Sequence, residues 1–187
     1  MKIHFLTKLS LFLILLLSPL LDVKAQDFSD LDVSPMDIVE FQESTGSVPL
    51  LKIIYSRPQK SEREIFGALV PYGELWRTGA NENTEIIFLK ESKIDGKVIK
   101  PGAYSLYSIP NKESWTIVIN SQLYKPGTYH YDKTNDVLRF EVPVTKSDDV
   151  IEAFSIDMQR NEDGIIVFLG WDKTIVKFQV HLHKENH

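Results

Sequence analysis

Two stretches of the chain alternate apolar and polar residues with a period of two, and that period admits strands while excluding helices. Leu138, Phe140, Val142 and Val144 are interleaved with Arg139, Glu141 and Pro143; Val176, Phe178, Val180 and Leu182 are interleaved with Lys177, Gln179, His181 and His183. Each pattern describes a strand with one face on a core and the other in water. Asp95-Gly96, set between Ile94 and Lys97-Val98, has the two-residue composition of a type I′ hairpin turn, whose central residues both need positive φ. Pro101-Gly102, Pro126-Gly127, Asp163-Gly164 and Asp172-Lys173 punctuate the remainder. Further strands are expected at residues 50–55, 85–89, 103–109, 114–120, 153–158 and 165–171, for about eight or nine in all.

So many short strands predict an all-β, antiparallel β-sandwich, of the jelly-roll or immunoglobulin-like kind, because a single open sheet leaves one apolar face in water. A partly closed barrel fits the same pattern. One short helical turn is expected at residues 61–64, where Ser61 and Glu64 have the spacing of a capping box ahead of Gly67.

The first 25 residues have the layout of a secretory signal peptide: Lys2 and Lys8, an apolar run over 9–21, then Val23-Lys24-Ala25 before a cut at Gln26. The run is shorter than the roughly 20 residues of a spanning helix, so cleavage is expected and no stable membrane anchor remains. The chain has no cysteine, which removes a lipidated cysteine and any disulfide framework. These features predict an exported protein, periplasmic or secreted. Loss of Lys2, Lys8, Lys24 and Asp22 with the signal shifts the formal charge from −5 to −7. An acidic surface of that kind excludes nucleic acid as a partner, since phosphate contacts need a basic face. Residues 26–47 read as an acidic leader able to supply an edge strand through Asp37-Ile38-Val39-Glu40-Phe41, and residues 48–187 as one β domain.

Residues 55–84 follow neither helical nor strand periodicity, yet hold three arginines, a tryptophan and three glycines. The segments Tyr55-Ser56-Arg57-Pro58, Ile65-Phe66-Gly67 and Trp76-Arg77-Thr78-Gly79-Ala80-Asn81 occur in that order. Pro101-Gly102-Ala103-Tyr104-Ser105-Leu106, Ile109-Pro110, Trp115-Thr116 and Trp171-Asp172 follow. Together these words resemble the secreted bacterial family known as domain of unknown function 2911, over about residues 53–180. The resemblance implies no activity, because the family has none assigned.

The connection over residues 57–83 is the strongest candidate for function, since loops on a rigid β scaffold can present side chains without disturbing it. Arg57, held extended by Pro58, and Arg77 are expected to grip a carboxylate, phosphate or sulfate by paired N–H bonds if they converge. Asn81 and Tyr72 add neutral hydrogen bonds, and Trp76 and Glu82 complete the candidate ligand-binding set. In the competing reading Arg57, Arg77, Glu74 and Glu82 form a polar network that stitches the loop down, with Trp76 as its apolar plug. The expected partner is an anionic or polar small molecule or a glycan, with no cofactor.

His181 and His183 share a strand face at a separation that suits one metal ion, but a solvated terminal strand explains them equally, and no metal site is assigned. His130 beside Asp132 invites a general-base reading with no nucleophile attached to it. The chain lacks a G-x-S-x-G elbow, an H-E-x-x-H helix and a P-loop. A hydrolase or isomerase using Glu82 or His130 as proton carrier, and a purely structural or interaction domain, stand as alternatives to binding.

Overall fold

The computed structural model describes residues 26–182. Residues 26–31 have no regular structure and are exposed. From Asp32 onward the chain forms nine strands: β1 (Met36–Phe41), β2 (Leu51–Ser56), β3 (Thr84–Phe88), β4 (Ser92–Ile94), β5 (Lys97–Ile99), β6 (Gly102–Pro110), β7 (Ser114–Asn120), β8 (Asp136–Asn161) and β9 (Gly164–Leu182). All pair antiparallel, in the order β1-β2-β3-β6-β7-β8-β9-β4-β5. The all-β antiparallel expectation is met, and hydrogen bonds connect all nine strands in that order.

A core forms because the sheet turns back on itself. The first part of β8 pairs with β7, from Pro143 opposite Ser114 to Asp136 opposite Asn120, while the rest pairs with β9. Register shifts between Lys146 and Ser155 mark the bend, where apolar alternation lapses through the exposed Asp148, Asp149 and Val150. Bulges of this kind bend a strand and increase its twist. Beyond the bend β8 meets the chain leaving β2: Phe154 N–H donates to Pro58 O at 2.9 Å and Lys60 N–H to Glu152 O at 2.7 Å. The buried Tyr55 hydroxyl accepts from Ile156 N–H at 3.0 Å across the same seam. Side chains from all nine strands then share one apolar core.

Two expectations are corrected. Residues 138–144 and 153–158 belong to one strand, as do 165–171 and 176–182, so Asp172 makes a kink inside β9 at φ 53° where a chain reversal was expected. The capping-box helix does not form: Ser61 and Glu62 both adopt positive φ, and the short helical element is a 3-10 turn at Lys133–Asn135 capped by Asp132. The hairpin at Asp95-Gly96 does form, with φ of 45° and 78°, and β1 is the edge strand drawn from the acidic leader.

Candidate functional site

The connection from β2 to β3 is fastened at several points. Trp76 and Ser108 of β6 exchange both backbone bonds, at 2.7 and 3.0 Å, and Gly73 N–H donates to Pro110 O at 2.9 Å. Thr78, buried at φ 55°, shares a 3.0 Å hydroxyl contact with Ser108, and its carbonyl accepts from the Thr84 hydroxyl at 2.6 Å. Gly79 must lack a side chain, since a Cβ there would lie 3.0 Å from Ser56 O and 3.1 Å from Thr84 Oγ1. Ile65 and Val70 are buried while Leu69, Tyr72 and Glu74 are exposed, so the connection is a folded flap with an inner and an outer side.

Beneath it lies an aromatic cluster. Trp76 and Trp171 stack with ring centres 5.9 Å apart and planes 17° from parallel, and Phe66, Trp115 and Phe154 contact Trp76 edge-on. Such offset and edge contacts add to the hydrophobic gain of burying the rings. The Trp76 indole N–H donates to Gly79 O at 3.0 Å, and that of Trp171 to Glu152 O at 3.2 Å, which fixes both rings.

These rings form part of the wall of a cavity of about 720 Å³. Pro58, Leu69, Val70, Trp76 and Trp171 give it an apolar lining; Ser34, Gln59 and Ser61 contribute polar atoms; Arg63 and Arg77 bring charge. Among the described residues no aspartate, glutamate, histidine or lysine lines it. Arg77 Nη1 donates to Asn81 O at 2.9 Å, and among the described residues Arg77 has no acidic partner. Arg63 spends its Nε and Nη2 on the carbonyls of Lys60 and Gln59, again with no carboxylate. Each guanidinium is therefore oriented by backbone oxygens, with no carboxylate bonded to it among the described residues.

Arg57 has a different fate. Its Nη1 is 2.9 Å from Asp37 Oδ2 in β1, its Nε donates to Phe154 O at 3.2 Å and its Nη2 to Ser155 Oγ at 2.8 Å in β8. All three nitrogens are occupied, and the side chain ties the edge strand to the turned-back part of β8. Arg57 does not line the cavity; the arginine that lines it with Arg77 is Arg63. Arg63 is one of the three arginines in this stretch, but the sequence showed only its place inside an expected helical turn, which carries no sign of the cavity it lines.

The remaining candidates are spread around this flap. Asn81, exposed at φ 57°, donates to Asp32 Oδ1 at 3.2 Å and Ser34 O at 3.4 Å, which positions the neighbouring wall without lining it. Tyr72 lies over Gly67 on the outer side. Glu82 is exposed and beside Glu85, whose carboxyl is held above its usual range by burial and then by the Glu82 charge. His130 is exposed, and Asp132 is engaged elsewhere: it accepts from Thr134 N–H and hydroxyl at 2.8 and 2.7 Å, bonds that hold its carboxyl below the usual range. His181 faces Asp163 O at 3.2 Å, and His183 lies outside the described residues, as does the signal segment. Among the described residues no group of three or more histidine, cysteine or acidic side chains is placed to hold a metal, and no helix is long and apolar enough to cross a membrane.

The family model described as protein of unknown function (DUF2911) matches residues 34–180. The chain belongs to this family. The matched span runs from just before β1 almost to the end of β9 and takes in the whole flap and both cavity arginines. No curated protein and no solved structure matches the chain.

Proposed function

We propose that this DUF2911 member is an exported binding module for a small organic anion, held in the cavity between Arg63 and Arg77. One observation carries the reading: in a chain of net charge −5, the described residues place two guanidiniums and no carboxylate in the wall of a roughly 720 Å³ cavity. Acidic side chains are abundant elsewhere, so their absence from this wall leaves the charge of Arg63 and Arg77 for a ligand. The size lies within the range of small-molecule sites, and an apolar lining with a few convergent polar groups is their usual composition. A carboxylate, phosphate or sulfate would meet the arginines, and an apolar or ring-shaped body would lie on Leu69, Val70 and Trp76. Because the wall offers no side chain of ordinary acid–base character, binding is favoured over proton-transfer catalysis as the activity of this cavity.

Export rests on the signal-like residues 1–25, and N-terminal sequencing of protein recovered outside the cytoplasm should begin at Gln26. Binding is tested by thermal-shift titration of the protein with aromatic and aliphatic carboxylates, phosphate esters and sulfate esters. At least one class should raise Tm, less so at high salt because part of the attraction is screened. The gain should vanish in both Arg77→Ala and Arg63→Ala. Absence of stabilisation by every class, or a gain that survives in both variants, removes the proposal.

A further inference from the structure

Arg77 and Trp76 line a second, smaller cavity of about 160 Å³ as well as the large one, so the Arg77 side chain stands on the ridge between them. The small cavity is completed by Leu75, Gly127, Thr128 and Tyr129. Two features of its far wall are unusual for a surface loop. Gly127 sits at φ 63°, and a Cβ on it would lie 3.1 Å from Arg77 Nη1, so the guanidinium rests close against the loop at this position. Tyr129 is 88% exposed, with its ring edge 3.5 Å from that same Cβ position, and its ring lines the recess that Arg77 also lines.

Arg77, Thr128 and the exposed ring of Tyr129 line one small recess, which suits a carboxylate on the cation and, on the aromatic ring, the apolar face of the sugar linked to it. We propose that the two cavities are adjoining subsites of one site for an acidic oligosaccharide, with a uronate carboxylate on Arg77 and the next sugar ring on Tyr129. This rests on the binding reading above and extends it from a single anion to a chain of linked units. A peptide is disfavoured because the small recess offers no backbone edge in a strand to pair with: its residues lie outside β1 to β9.

The experiment is calorimetric titration of the full protein with galacturonic acid, tetragalacturonate and tetraglutamate. Tetragalacturonate should bind about tenfold more tightly than the monosaccharide, the upper end of what one aromatic stacking contact supplies, and tetraglutamate should not share the gain. Tyr129→Ala should bring the tetramer down to the affinity of the monomer and leave the monomer unchanged, whereas Arg77→Ala should lose both. Equal affinities of monomer and tetramer, an increment indifferent to Tyr129→Ala, or equal gain with tetraglutamate would overturn the two-subsite proposal. If no galacturonate binds while another anion stabilises the protein through Arg77 and Arg63, this inference fails and the simpler binding reading stands; if nothing binds, both fail.

Discussion

Arg57 and Arg77 bound the same connection, and the structure uses them in opposite ways. Arg57 bridges three elements, with a carboxylate, a carbonyl and a hydroxyl on its three nitrogens. Arg77 holds one backbone oxygen and keeps an unneutralised charge beside two cavities. A guanidinium has enough donors for either role, and the difference lies in what surrounds it: Arg57 emerges where β1 and β8 converge, Arg77 where the chain has just been pinned to β6 and opens outward. The same residue type thus contributes stability at one end of the flap and availability at the other.

That contrast can be broken by mutation. Arg57→Ala should cost the most, about 1–3 kcal/mol in urea unfolding, because it strands the Phe154 carbonyl and the Asp37 carboxylate together. Asp37→Asn should cost less than about 1 kcal/mol, since the ion pair is 35% and 42% exposed on its two sides and the other two Arg57 bonds persist. Arg77→Ala should change stability by no more than about 0.5 kcal/mol while abolishing ligand-induced stabilisation. Equal destabilisation by Arg57→Ala and Arg77→Ala would erase the distinction.

The smallest effect is expected at Glu85, where the carboxyl protonates above its ordinary value of 4.5 because of burial and the Glu82 charge. A raised folded-state value means that ionisation opposes folding: the stability tied to the protonated form is complete below pH 4.5 and is lost as pH rises through the folded value. Glu85→Gln should therefore raise Tm slightly at pH 7, with the gain fading below pH 4.5, as paired melting curves would show.

Much of the strand content was legible because it depends on local alternation. Ser114–Asn120 follows its expected bounds, and Asp95-Gly96 makes its hairpin because positive φ at both residues is a local requirement. The β8 bend was not legible, since residues 138–144 and 153–158 read as separate strands; only pairing with a kinked β9 carries one strand through both. Arg63 was missed for a related reason. Ser61 and Glu64 match a capping box, yet Ser61 N–H donates to Glu152 Oε1 of β8 at 2.7 Å, and this long-range bond holds Ser61 and Glu62 at positive φ where a helix cannot start. The flap then turns Arg63 toward the cavity.

By itself the amino-acid sequence determined that this chain is antiparallel β, where most of its strands run, and that its unusual residues gather in one connection. These properties follow from period and turn chemistry, which act over a few neighbouring residues. Only the tertiary structure decided that the strands form one folded-over sheet, that Arg57 braces it and that Arg63 joins Arg77 at the cavity. Those outcomes depend on β8 returning to the end of β2, a contact between residues about a hundred positions apart, whose energy no local pattern can register.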